Sequence, residues 1–290
     1  MAGFRTLGEI VTAQRDTGDE LYVTWRKAPT QSTSAGNWFD LSMSPSNPSA
    51  QYYAASPLVA TQLKRSTDGG LNHGGAVSPK KKYLRKSTAI ARVVGPTPIN
   101  MVLCDYLLFY PFVDESVTDE QLMDNSVTLP RYTDGDGVQM MAVVVAAQVG
   151  GGTFTVNYTN SDGVSGRTSK PMRLSTTGKV NGVILTSGRT TLAGGSAFIA
   201  LQNGDSGVRS VEGVTCSAPD IGLFALVLVR PLAQSSIPGI DAPVEIDYLT
   251  NFSNMPEIQD DAYLNWICCP MGNLSASSNT LLGDLTFVWK

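Results

Sequence analysis

Charged side chains are scarce in this chain. They make up 16% of its 290 residues, against about 25% in an average soluble domain. Ser, Thr, Asn, Gln and Gly take their place, and the net charge of −4 does not favour binding to nucleic acid. This composition predicts an all-β chain with many turns whose surface is partly hidden in subunit contacts. The alternative is an ordinary β protein with a polar, uncharged surface.

Other features are also missing. No run reaches the ~18 apolar residues of a membrane span, and the first residues, MAGFRTLGEIVTAQ, lack the basic start and apolar core of a signal peptide. The four cysteines fit no zinc-site spacing, so we expect reduced, partly buried thiols at Cys104, Cys216, Cys268 and Cys269. We therefore expect synthesis in a cytoplasm, with no metal, no cofactor and no membrane partner.

Short apolar or alternating runs separated by turn residues are plentiful. They predict strands at 18–25, 102–113, 138–149, 153–160, 179–186, 196–203, 222–232 and 284–290. We expect the strand at 102–113 to end near Pro111, and the runs at 138–149 and 153–160 to form a hairpin. The set predicts an all-β fold, a β-sandwich or a jelly-roll-like domain.

The chain divides into three segments by composition. Residues 1–60 are predicted to form an extended N-terminal arm, residues 61–98 a Gly-rich loop and a basic connection, and residues 99–290 the β domain. Within the connection, 78–94 fits either a short helix or a strand. The arm carries aromatic side chains too apolar to leave in water, so it must pack on the chain's own core or on a neighbouring subunit.

Charge is unevenly distributed. Eight Lys/Arg and one acid lie within 64–92, and eight acids and one base lie within 105–136. A basic block followed by an acidic block indicates complementary patches, within a subunit or between neighbours, although two solvated loops would look the same. The candidate contacts with other protein subunits are Trp38, Phe39, Tyr52, Tyr53, Lys80, Lys81, Lys82, Arg85, Asp114, Glu115, Asp119 and Glu120.

One motif suggests catalysis. Gly204-Asp-Ser206-Gly is similar to the sequence around the nucleophile of chymotrypsin-like proteases, and His73 and Asp105 precede it in that family's order. Val208 follows where the family has another glycine, and the histidine lies in a Gly-rich loop without a strand before it. The motif is also a good β-turn. A hydrolase using Ser206 is therefore the minor hypothesis, and no catalytic residue is predicted.

A second acidic motif, Asp134-Gly-Asp136-Gly, suggests a calcium loop. It lacks the further oxygen ligands and the closing Glu of an EF-hand. A tight acidic turn is the preferred interpretation.

Several longer blocks resemble proteins encoded among the virion genes of tailed bacteriophages. They are NWFDLSMSPSNPSAQYYAASPL (37–58), SPKKKYL (78–84), LCDYLLFYPFVDES with DNSVTLPRYTDGDGVQMM (103–141), FTVNYTNSDGVSGRT (154–168), LQNGDSGVRSVEGVT (201–215) and AYLNWICCPMGNLS with GDLTFVWK (262–290). The resemblance implies a non-enzymatic virion structural protein, with a capsid decoration or cement protein preferred and a tail or portal-vertex component as the alternative. It further implies assembly in the bacterial cytoplasm onto the major capsid protein, with copies arranged as a trimer.

Overall fold

The computed structural model describes residues 4–29, 31–32, 35–92, 96–174, 181–185, 195–252, 254–274 and 280–290. Helix occurs there only in short pieces. These are α1 (Leu7–Val11), the π-helical turn Thr12–Thr17 that continues it, the 3-10 turn Leu41–Met43 and α2 (Arg65–Asp68). The first helix begins with a capping box, in which Thr6 and Glu9 each accept a hydrogen bond from the other's backbone N–H.

Strands make up most of the regular structure. They are β1 (Glu20–Lys27), β2 (Phe39–Asp40), β3 (Ser46–Asn47), β4 (Thr61–Gln62), β5 (Lys82–Ala91), β6 (Ile99–Asp114), β7 (Gln121–Leu122), β8 (Gln139–Val149), β9 (Thr153–Asn160), β10 (Arg167–Thr168), β11 (Met172–Arg173), β12 (Val208–Cys216), β13 (Ile221–Ile237), β14 (Val244–Asp247), β15 (Glu257–Ile258), β16 (Leu264–Pro270) and β17 (Leu281–Trp289).

These strands form three antiparallel sheets. The central sheet has the order β2-β16-β6-β13-β8, with β4 beside β6. The terminal sheet has the order β14-β5-β17-β1-β3, with β15 beside β5, and the small sheet has the order β10-β9-β12-β7, with β11 beside β9. The all-β sandwich class predicted from the sequence is confirmed. The three sequence segments share sheets, since β1 and β5 both pair with β17.

The core lies on both faces of the central sheet. On one face Trp266 packs on Trp25 of the terminal sheet, with ring centroids 5.0 Å apart, and Phe224 packs on Phe154 of the small sheet at 4.7 Å. Burial on both faces explains why residues 103–111 are buried without alternation and read as one continuous apolar run. All four cysteines are free and buried, as predicted.

The other face of the central sheet is covered by the N-terminal segment. Tyr53 packs edge-on against Phe109, with centroids 5.2 Å apart, and Met43 and Leu63 join the same cluster. An extended arm reaching away from the domain is not confirmed. Of the two destinations left open for its aromatics, the structure shows the chain's own core for Phe39 and Tyr53, which are 2% and 0% exposed.

The predicted hairpin of 138–149 and 153–160 is wrong, although both runs are strands. β8 pairs with β13 in the central sheet, whereas β9 pairs with β12 in the small sheet. The chain changes sheets at Gly150–Gly152, where the Asp220 carboxylate accepts the N–H groups of Gly151 and Gly152 at 2.9 and 2.8 Å. A Cβ on Gly150 would lie 2.0 Å from Asp220 Cγ, so this crossing requires glycine.

Other strand predictions also needed correction. β6 continues through Pro111 to Asp114 with a register shift opposite it, because a bulge accommodates proline inside a strand. The strand predicted at 196–203 is wrong, since that stretch is irregular. Of the strand predicted at 179–186, residues 181–185 are described, and there Val183 and Ile184 form only isolated bridges. The basic connection at 78–94 forms the strand β5 rather than a helix.

Candidate assembly surface

The three residues of the candidate protease triad each have other partners. Ser206 Oγ lies 3.0 Å from Ser161 Oγ and 3.4 Å from Asp136 Oδ1. His73 is fully buried, with Nε2 2.9 Å from the Ala262 carbonyl oxygen, and burial lowers the pKa of its imidazole to about 4. The third member, Asp105, accepts two hydrogen bonds from the Arg131 guanidinium. No described contact links the three, so the geometry of proton transfer from serine to histidine is not assembled.

The two acidic glycine motifs pack against each other instead. Gly207 lies so close to the other turn that a Cβ on it would be 2.0 Å from the Gly135 carbonyl oxygen. Arg209 joins the turns by donating to the carbonyl oxygens of Asp134 at 2.8 Å and Ser161 at 2.6 Å. Neither motif therefore needs a catalytic or metal-binding role to explain its glycines. Among the described residues, no three His, Cys, Asp or Glu side chains group as metal ligands.

The predicted aromatic contacts have different environments. Phe39 and Tyr53 are buried, and Trp38 is half-buried with Nε1 donating to the Gly195 carbonyl oxygen at 2.7 Å. Tyr52 is 60% exposed. Of these four candidates, only Tyr52 offers most of its side chain to a partner.

The three consecutive lysines also separate. Lys80 pairs with Asp19 at 2.6 Å and Lys81 with Glu257 at 2.7 Å. Lys82 is buried, donates to the carbonyl oxygens of His73 at 2.8 Å and Gly75 at 2.9 Å, and has its pKa lowered by burial to about 8. Its place on β5, with the side chain facing inward, makes it a structural residue and not a surface contact.

The basic block finds its partners outside the acidic block. Besides Asp19 and Glu257, these are Asp247, which pairs with Arg85, Glu245, which pairs with Lys86, and Asp241, which pairs with Arg92. Strands β14 and β15 beside β5 supply three of those acids. Pairing of the two blocks within the chain is not found among the described residues, and pairing between neighbouring chains stays a prediction.

The acidic contact candidates lie in and beside the exposed loop 116–120. Asp114 accepts the Ser116 N–H at 2.9 Å, and Glu120 accepts a hydrogen bond from the Asn157 amide at 2.6 Å. Asp119 is exposed. Glu115 is fully buried beside Gln148. The loop thus offers Asp119 and part of Glu120 to a partner, whereas Glu115 faces the interior.

Glu115 should make stability depend on pH. Burial raises the pKa of its carboxyl from 4.5 to about 7; the hydrogen bond from Gln148 opposes this rise, and the carboxylates of Asp220 and Asp114 add to it. Since the folded state then binds the proton more tightly than the unfolded chain, the free energy of unfolding falls as the pH rises through this interval. Relative to Glu115→Gln, we expect the wild type to lose about 1–2 kcal/mol between about pH 5 and pH 8, after allowance for solvent screening.

Urea unfolding of both proteins across that pH range measures this difference. Asp119→Asn, on the exposed part of the same loop, is the control and should follow the wild type at every pH. A constant difference between Glu115→Gln and wild type would contradict the assignment of this titration to Glu115.

A groove between the central and terminal sheets was not predicted from the sequence. β8 begins at Gln139, which is opposite Val229, so the rest of β13, Arg230–Ile237, pairs with β6 alone among the described residues. We call the space beside this half-strand the edge groove. It encloses about 470 Å³ and is lined by Leu232, Ala233, Gln234, Ser235, Ser236, Ile246, Tyr248, Phe252, Asn254 and Pro256.

The lining of the edge groove combines aromatic rings with polar, uncharged groups. Tyr248 and Phe252 stack with ring centroids 5.6 Å apart, and Phe252 is 52% exposed. Ser235 is 4% exposed, and its hydroxyl has no hydrogen-bond partner among the described residues. Pro231 was the available sequence signal, because proline in a strand marks an edge or a bulge.

Comparison with protein-family models, curated proteins and solved structures finds no match for this chain. In the described part of the chain, no helix has the length and apolar character needed to span a membrane. The molecule is thus an all-β protein in which, among the described residues, part of the β13 edge is unpaired beside the exposed ring of Phe252.

Proposed function

We propose that this chain is a non-enzymatic structural protein of a tailed-bacteriophage virion, and specifically a capsid decoration or cement protein that binds and stabilises the head shell. The observation that carries the proposal is the edge groove, because a strand edge that has no partner among the described residues and lies beside the exposed ring of Phe252 suits contact with another polypeptide. The sequence resemblance to virion proteins supplies the context. The partners would be the major capsid protein and further copies of this chain, arranged as a trimer on the capsid surface.

The packing of the molecule supports such a role. A cement protein must keep its shape under load, and the central sheet is buried on both faces, with aromatic contacts to both other sheets. Side chains outside the core also offer contacts, among them Tyr52 and Leu122, which are 60% and 68% exposed. Apolar groups exposed on a surface with few charges favour subunit contact.

The number of copies per particle tests this proposal. We expect quantitative mass spectrometry of purified particles to find the chain in numbers comparable to the major capsid protein. A handful of copies per particle would instead favour the alternative, a tail or portal-vertex component. Absence of the chain from particles would contradict both.

The hydrolase hypothesis has its own test. Nucleophilic catalysis by Ser206 requires activation by a base, and His73 is buried against the Ala262 carbonyl oxygen. We expect no labelling of the native protein by a fluorophosphonate. Labelling of Ser206 that disappears in His73→Ala would overturn the non-enzymatic proposal.

A further inference from the structure

One edge of β13 is open along the second half of the strand. Residues Arg230–Ile237 pair with β6 on one side, and no described strand pairs on the other. Alternate residues of such an edge direct their N–H and C=O groups outward, where another strand can bind them. Arg230 is covered by the loop that leads into β8, since its guanidinium lies over the Tyr132 ring at 5.5 Å and donates to the Asp136 carbonyl oxygen. The open part is therefore Leu232–Ile237, about 20 Å long at ~3.3 Å per residue.

The far wall of the edge groove comes from the terminal sheet. Ile246 lies in the edge strand β14 and Tyr248 directly follows it, whereas Phe252 and Pro256 belong to the connection from β14 to β15. Every residue that lines the groove is uncharged. The central sheet of a second copy of this chain would collide with this wall. A single extended segment would instead lie between the edge of β13 and the edge of β14.

The unpartnered hydroxyl of Ser235 is a second, independent indication of a ligand. Ser235 is only 4% exposed, yet its Oγ has no hydrogen-bond partner among the described residues. Leaving a buried hydroxyl without a partner is unfavourable. A polar group of an occupant in the edge groove would satisfy it.

We propose that the edge groove binds an extended, uncharged segment of another polypeptide chain, which adds to the central sheet as a strand along Leu232–Ile237. An unpaired backbone edge recognises extended backbone, and the neighbouring pockets read alternate side chains. Side chains pointing inward would extend the core beside Ile246 and Tyr248, so they should be apolar. Side chains pointing outward would lie beside Gln234 and Ser236, which are exposed, so they should be polar.

Binding of a strand at the edge groove does not depend on the virion role, because any extended segment with alternating apolar and polar side chains would fit. Its test uses the purified full chain, whereas the test of the virion role uses particles. The two can therefore fail separately.

The experiment is a selection of random peptides of about eight residues, slightly longer than the six residues Leu232–Ile237 of the open edge, displayed against the immobilised full chain. We expect enriched peptides to be uncharged and to alternate apolar and polar residues. The best peptide is then synthesised with N-methyl groups at one position at a time. Methylation should weaken binding about tenfold or more at every second position, and less than about twofold between them, because only alternate N–H groups face β13.

Two matched variants locate the bound peptide. Phe252→Ala removes an exposed ring from the groove and should weaken binding about tenfold. Ile221→Ala removes a side chain that is 68% exposed at the opposite end of the same strand and should leave binding unchanged. No enriched peptide, no period of two in the methylation scan, or equal effects of the two variants would each overturn the proposal.

Discussion

Replacing Asp105 by alanine is expected to lower the free energy of unfolding by about 3–5 kcal/mol, because it leaves a buried guanidinium without its counter-charge. Asp105 is fully buried on β6 and accepts two hydrogen bonds from Arg131, at 2.8 and 2.7 Å. It also accepts the Tyr263 N–H at 2.9 Å. Arg131 Nη2, which makes the 2.7 Å bond, also donates to the carbonyl oxygens of Leu63 and Tyr106 at 3.1 and 3.0 Å. The pair thus joins four segments of the chain.

Urea unfolding followed by the fluorescence of the buried Trp25 and Trp266 measures this loss. The double variant Asp105→Ala/Arg131→Ala should cost less than the sum of the two single variants by at least about 1 kcal/mol, since the second change removes the orphaned charge. As a control, Arg92→Ala breaks a pair with Asp241 whose side chains are 60% and 63% exposed, and should cost less than about 1 kcal/mol. A cost below about 1 kcal/mol for Asp105→Ala would show that the pair is not buried as described.

Replacing Asp40 by alanine is expected to cost about 3–4 kcal/mol, because it leaves several buried donors without an acceptor. Asp40 is fully buried and accepts hydrogen bonds from Ser42 N–H and Oγ–H at 2.8 and 2.7 Å. The hydroxyls of Tyr53 and Tyr106 donate to it at 2.5 and 2.7 Å. Burial raises the pKa of the Asp40 carboxyl, and these four donors oppose the rise. The network therefore holds the covering segment 40–53 on the central sheet.

Hydrogen exchange distinguishes this role from a general loss of stability. Protection of amides in 41–53 should fall more in Asp40→Ala than protection in β17, because only the covering segment loses its attachment. Ser42→Ala removes one donor and should cost only about 1 kcal/mol. Equal loss of protection in both regions would contradict the proposed local role. Lys27, buried nearby, donates to the carbonyl oxygens of Ser44 and Pro48 at 3.0 and 2.8 Å and should keep part of the segment in place.

Local patterns in the sequence predicted the fold class and most long strands. Alternation in 153–160 and continuous apolar runs in 102–113 and 222–232 report burial on one or both faces, which is a local property of the residues. The run at 196–203 was misleading. Ala197 and Ile199 are buried, but the backbone there makes separate hydrogen bonds, Ile199 N–H to Met140 and Ala200 carbonyl oxygen to Lys170. Apolar side chains that cover a sheet look the same in sequence as those within one.

Long-range pairing explains what the sequence did not reveal about the candidate surface. The edge groove exists because β8 begins only at Gln139, opposite Val229, while β13 continues to Ile237, and no local pattern encodes how far a distant strand extends. Likewise, Gly135 and Gly207 are needed because the turns at 134–137 and 204–207 touch. Read separately, each motif suggested chemistry. Only their packing against each other gives their structural reason.

The position of this chain in a reconstruction of the phage particle is the most direct test of the proposed virion role. A decoration protein should give density repeated over the whole shell at local three-fold positions, with the edge groove against a neighbouring polypeptide. Density confined to a single ring at one vertex, or to the tail, would contradict the decoration role.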